Sequence, residues 1–263
     1  MKEKEEFFVP YIEGSLGKRT QMTLKIFGII IIVAIIFVAL AFSLSQKEFK
    51  NSTFELSTET KLIGIYHESP YPMLRVKLSE NEFKNILLLG FGKSGVNPYL
   101  DHLRSENKSL EGMTLSIEGN LIYYNGKTLI QITDNEKVQI KEKRKSLTPQ
   151  TTAIGQYVLS GEIVDPKCYF GVMKPGKGKI HRSCAVLCIS GGIPPVFVSD
   201  QEIKGSKYLL LTDMNGYPVN NEILEYIGKS IEIKGIIEQN EDWLLFKIDP
   251  KTIKELEQSS SIY

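Results

Sequence analysis

All three cysteines of this 263-residue chain, and one of its three histidines, fall in the single stretch VDPKCYFGVMKPGKGKIHRSCAVLC, as Cys168, His181, Cys184 and Cys188. Three soft sulfurs and one imidazole form a complete four-ligand set for a transition metal. Zinc is the first expectation, with copper or an iron–sulfur cluster chemically suited to the same donors. His181, Cys184 and Cys188 stand at i, i+3 and i+7, positions that share one helix face. HRSCAVLCIS reads as a short helix, stopped by Gly191-Gly192 and then by Pro194-Pro195. Cys168 is expected at the end of the strand GEIVDPKC, with the KPGKGK loop bringing the chain back. Asp165 and Glu162 flank the cluster and are candidates to orient His181 from outside the ligand shell.

Other uses of the same residues follow from the same spacing. It matches neither a zinc-finger pattern nor the CxxCH of haem attachment, so it marks a site without naming the metal. Cys184 and Cys188 are poorly placed to form a disulfide while helical, but Cys168 could pair with either and leave one thiol over. That version is a structural module with one disulfide. A spare thiolate near His181, Lys179 and Arg182 would instead have a lowered pKa and suit thiol–disulfide exchange. If all four residues ligate, no coordination position stays open, which favours a structural or electron-carrying centre over a hydrolytic one. No Ser-His-Asp order or recognisable carboxylate pair is present, so no catalytic residue is assigned and a binding or accessory role is preferred to an enzyme.

The elements that must hold the cluster are strands. EGMTLSIEGNLIYYNGKTLIQI, from Glu111, and IGKSIEIKGIIEQNEDWLLFKI, from Ile227, align without a gap at a constant offset of 116. Both alternate apolar and polar residues, as half-buried strands do, and both carry a central turn, at Asn125-Gly126 and at Asn240-Glu241-Asp242. Upstream, KLIGIYHESPY resembles VLSGEIVDPKCY, with Gly64 matching Gly161, and ILLLG resembles YLLLT, with Leu87 matching Leu209. The expectation is a mainly β chain of two tandem small barrels, like the oligonucleotide/oligosaccharide-binding fold, over 46–140 and 153–252. The second carries an insertion, 166–195, that contains the Cys/His cluster. KEKRKSLTPQTT (141–152) reads as an exposed linker, and 253–263 as a tail. Trp243 reads as core or barrel wall.

Residues 26–45, IFGIIIIVAIIFVALAFSLS, carry no charge and have the length of a single-pass transmembrane helix. The long leader and the lack of an A-x-A-like site argue against a cleaved signal peptide. Lys2, Lys4, Lys18, Arg19 and Lys25 precede the helix, and Lys47, Lys50 and Lys61 follow it. This bias places the tail 1–25 in the cytoplasm and the barrels outside it, on the periplasmic side. With 32 basic against 31 acidic side chains the net charge is +1, so no nucleic-acid partner is expected. The partners expected are the membrane and another envelope or respiratory protein.

GEIVDPKCYFGVMKPGKGKIHRSCAVLCISGGIPPVF resembles the hallmark of a family of bacterial membrane-anchored proteins. The likeness is good over roughly 158–250 and loose elsewhere. It implies a cell-envelope protein carrying this constellation and brings no assigned reaction. Elsewhere, Gly90-Phe91-Gly92-Lys93-Ser94-Gly95 satisfies GxGxxG, but no βαβ unit follows, so an ordinary turn is expected rather than a phosphate site. Leu87 breaks the longer phosphate-loop pattern. His67 and His102 lack ligand partners in sequence and are expected at the surface.

Overall fold

A computed structural model describes residues 17–45, 52–80, 82–143 and 151–256. The expected tail up to residue 16, most of the linker (144–150) and the C-terminal tail from 257 lie outside the described residues. The chain divides into two units, Met1–Phe49 and Lys50–Tyr263. The first contains α1 (Lys18–Ser45), 28 residues with none buried. At about 1.5 Å per residue it is about 42 Å long, so it is long and apolar enough to cross a hydrocarbon layer of about 30 Å. It begins at Lys18, so 18–25, assigned to the tail from sequence, is helical instead.

The second unit holds two small closed barrels. The first comprises β1 (Ser52–Phe54), β2 (Thr60–His67), β3 (Met73–Lys77), β4 (Phe83–Gly90), α2 (Asn97–Glu106), β5 (Thr114–Tyr124), β6 (Lys127–Ile132) and β7 (Val138–Glu142). Five strands close in the order β2-β3-β4-β6-β5-β2, every pair antiparallel except β4–β6. The second comprises β8 (Thr151–Val164), α3 (Arg182–Ser190), β9 (Val196–Ile203), β10 (Ser206–Asp213), β11 (Ile231–Asn240), β12 (Trp243–Ile248) and β13 (Lys254–Glu255). It closes in the same order, β8-β9-β10-β12-β11-β8, again with one parallel pair, β10–β12. This is the strand order of the oligonucleotide/oligosaccharide-binding barrel.

Register supports most of the correspondence read from sequence. Gly64 pairs with Leu115, and Gly161 with Ile231, which keeps the offset of 116. A β-carbon on Gly119 would strike the Gln131 carbonyl, and one on Gly235 the Lys247 carbonyl, so each glycine lets one strand cross close over its neighbour. One match is displaced. Leu129 pairs with Leu87, whereas Leu245 pairs with Leu210, so Leu87 corresponds to Leu210 and not to Leu209. Three consecutive leucines hid the slip, because any of them fits a run buried on both faces.

Burial on both faces explains why ILLLG and YLLLT do not alternate. Leu88 and Ile130 point into the first barrel, while Leu87, Leu89 and Leu129 point out of it. Leu209, Leu211 and Phe246 fill the second barrel, while Tyr208, Leu210, Trp243 and Leu245 point out. The outward sets meet in one shared core, so the parallel pairs of the two barrels pack against each other. Trp243 is fully buried there, and its indole N–H donates to the Asn85 carbonyl of the first barrel at 3.0 Å. It is wall of the second barrel and core of the seam at once.

Lys127 also lies in the seam, buried, with its ammonium bonded to the Asp242 carbonyl and 4.9 Å from the centre of the Trp243 ring. Burial pushes its pKa down from 10.5 to about 8, against the attraction of Asp242 and with help from Lys84. A lysine whose folded pKa is depressed penalises the folded state below that pKa, and the penalty lifts as pH climbs to the unfolded value. The Lys127 contribution to unfolding free energy should therefore rise between pH 8 and 10.5, by at most about 3 kcal/mol. Lys127→Met should remove that increment in denaturant titrations at the two pH values. Trp243→Ala should cost about 3–5 kcal/mol in the same assay.

Candidate metal centre

The chain crosses from β2 to β3 through 68–72, but from β8 to β9 through 165–195. The Cys/His residues lie in this longer connection, close to the expected 166–195. Asp165 follows β8 directly. Its Oδ1 accepts from the Lys167 amide at 2.9 Å and its carbonyl accepts from the Tyr169 amide at 3.0 Å, so the strand turns sharply into a helical turn over Cys168–Val172. Cys168 therefore opens a tight turn and does not end the strand. After 174–178, where the Glu162 carboxylate accepts from the Gly178 amide, the chain enters α3 with His181 immediately before it. The His181 carbonyl accepts from the Ala185 amide at 3.1 Å, which continues the helical repeat back to the histidine.

The far end of α3 is held from both barrels. Asn220 donates to the carbonyl of Ile189 at the end of the helix and to that of Ile193 in the loop after it, at 2.8 and 2.9 Å. The Gly95 amide of the first barrel donates to the Gly191 carbonyl at 2.8 Å. A β-carbon at Gly191 would run into the Lys93 carbonyl, so the two loops can touch only with glycine there. GFGKSG, expected to be an ordinary turn, is thus the wall that the first barrel contributes to this site.

The structure brings the candidate ligands together as two triads. The sulfurs of Cys168, Cys184 and Cys188 lie within 4.8 Å of one another, and so do donor atoms of Asp165, Cys168 and His181. Cys168 and Cys188 are buried, Cys184 is half-buried, and no disulfide joins the three. Asp165 and His181 are 0% and 2% exposed. Asp165 Oδ2 stands 4.0 Å from His181 Nε2, and neither atom has a hydrogen-bond partner. Of the two acids proposed to orient His181, Asp165 faces it while Glu162 is engaged with Gly178.

Lys167 is the residue that sequence reasoning passed over. It is 3% exposed, and its ammonium donates to the carbonyls of Gly90 and Gly92 at 2.9 and 2.7 Å. Burial lowers its pKa, while Asp165, Cys188 and Cys168 pull it back up. A lysine beside the first cysteine was the available signal, but its partners are backbone carbonyls of the other barrel, which sequence cannot pair.

The surroundings of Cys168 and Cys184 oppose ionisation. The Cys188 contact, burial and the Asp165 carboxylate push the Cys168 thiol far up. Burial and Cys188 raise Cys184, against a smaller lowering by Lys93. The cations expected to activate them point elsewhere: Arg182 donates to the Glu225 carbonyl at 3.1 Å, and Lys179 is exposed. Of the other histidines, His102 is exposed, but His67 is buried, with Nδ1 2.7 Å from Glu111 Oε1, and so is not at the surface. Comparison with protein-family models, curated proteins and solved structures returned no match.

Because Lys167 makes two charge-assisted hydrogen bonds across the seam, Lys167→Met should lower unfolding free energy by about 3 kcal/mol, measured by chemical denaturation. Gly191→Ala should destabilise the protein by about 1–3 kcal/mol through the clash with the Lys93 carbonyl.

Proposed function

We propose that this chain is a single-pass membrane protein whose second barrel carries a transition-metal centre, ligated by Cys168, Cys184 and Cys188 with His181 beside them. The observation that carries this reading is the convergence of three thiols with a fully buried, unpartnered carboxylate oxygen and imidazole nitrogen. Donors buried without partners cost free energy, and a cation removes that cost at all of them at once. The raised thiols argue in the same direction. Neighbouring sulfurs and Asp165 oppose ionisation of Cys168, and a bound cation would reverse that balance, with each ligating thiol releasing its proton to water.

Thiol–disulfide exchange is the weaker reading, because an exchange thiol needs a depressed pKa and access, and Cys168 has neither. Mixed sulfur and nitrogen donors favour zinc and also accept copper. The charge-free segment 26–45 of the helix supplies the anchor, and the excess of basic residues before that segment favours barrels outside the cytoplasm. The role we assign is accessory metal handling or electron transfer in the cell envelope. The likeness over 158–250 implies an envelope protein carrying this constellation and brings no reaction of its own.

The test is metal and thiol quantification on the full chain in detergent, purified without oxygen. At least one transition-metal ion should be retained per chain. Cys168→Ser, Cys184→Ser and Cys188→Ser should each weaken retention more than tenfold. Metal-free protein with two thiols consumed would reject the reading in favour of a disulfide.

A further inference from the structure

We infer that the site is built for two ions, bridged by the sulfur of Cys168. The inference rests on the metal-centre reading above. Cys168, Cys184 and Cys188 form the pocket for one ion, and Asp165, Cys168 and His181 the pocket for the other.

The donor geometry separates the two. Asp165 and His181 group with Cys168, and the other two thiols group with Cys168 as well, so Cys168 alone belongs to both triads. Ligands of one tetrahedral ion stand roughly 3.3–3.8 Å apart. A single ion bound by three cysteines and His181 would take His181 away from Asp165 and leave Asp165 Oδ2 buried with no partner. That is the arrangement a folded protein avoids, because a buried carboxylate oxygen left without a hydrogen-bond partner has lost its hydration for nothing in return. The 4.0 Å between Asp165 Oδ2 and His181 Nε2 is too long for a hydrogen bond and only a few tenths of an ångström beyond the span of two ligands on one ion.

Local structure holds this second triad in place independently of the thiols. Oδ1 of Asp165 is occupied by the Lys167 amide, which leaves Oδ2 as the donor. His181 is fixed where α3 begins, with its amide donating to the Gly178 carbonyl at 3.0 Å. A thiolate has lone pairs for two metals, and ions sharing a ligand stand about 3.5–4 Å apart.

Charge does not oppose the second ion. Three thiolates and one carboxylate are offset once by the Lys167 ammonium. One divalent ion then leaves one unit of negative charge and two leave one unit of positive, so geometry decides. The sulfur, nitrogen and oxygen donors of the second triad suit a borderline divalent ion such as zinc. Each triad is one donor short of a tetrahedron, which leaves a position for water or another exchangeable ligand.

The experiment loads the full chain in detergent with excess zinc, removes loose ion, and counts zinc by native mass spectrometry. Two ions should remain per chain. Asp165→Asn and His181→Gln should each reduce the count to one, and X-ray absorption of the two-ion form should contain a metal–metal distance of about 3.5–4 Å. One ion in the unaltered chain would overturn the inference and give the Asp165–His181 gap to water, while leaving the metal-centre reading intact. Two ions that persist in both variants would overturn the ligand assignment. No ion would overturn both. The count on the unaltered chain decides the matter even if a variant fails to fold.

Discussion

A small barrel has an inside to fill with side chains and an outside that normally meets water. In this protein the outer face of one parallel strand pair in each barrel is apolar: Leu87, Leu89 and Leu129 on one side, Leu210, Trp243 and Leu245 on the other. Left in water, each such side chain would forfeit about 1.5–3 kcal/mol, so the barrels are obliged to share a core. The long connection from β8 to β9 starts and ends beside that core, and Phe170, Cys188 and Ile193 are drawn into it. Two of the candidate metal donors, Cys184 and Cys188, are therefore held by packing between two barrels and not by a loop riding on the surface of one.

The seam buries two lysines and treats them differently. Lys127 rests on an indole face and the Asp242 carbonyl, and its depressed pKa marks a charge only partly repaid for lost hydration. Burial lowers the pKa of Lys167 as well, but its ammonium is hydrogen-bonded by two carbonyls of GFGKSG and faces sulfurs and a carboxylate that pull it back up. The first is a cost of docking the barrels. The second ties the wall of one barrel to the ligand-bearing turn of the other and puts positive charge where thiolates would form.

Much of this was legible in the sequence. Alternation, the Asn125-Gly126 turn and the constant offset were enough for two barrels of one strand order, because period-two patterning and turn chemistry are local properties. The cluster was legible because cysteine is scarce and its spacing near 181–188 is helical. What escaped was whatever depended on the other barrel. ILLLG announces burial on both faces without saying against what, GFGKSG has no partner in sequence, and the one-residue slip from Leu209 to Leu210 disappears within a run of leucines. Asp165 was seen as a neighbour of the site, but not as a donor with an oxygen left unpartnered, since only the fold removes its alternatives.

The first barrel closes without the long connection, so a barrel of this strand order does not need the cluster. The docking of the two barrels is another matter, because part of the cluster lies in the seam. Protonated, the thiols behave as small apolar groups, and Cys188 packs with leucines and Phe170 in the shared core. Ionised without a cation, Cys168 would set negative charge against Asp165 and the neighbouring sulfurs, which is what its raised pKa records. Two states are therefore compatible with a docked pair of barrels: thiols protonated with no metal, or thiolates neutralised by it. On the proposed reading, metal uptake, proton release and barrel docking would be bound into one equilibrium, because Cys184 and Cys188 would serve as ligands and already pack in the seam.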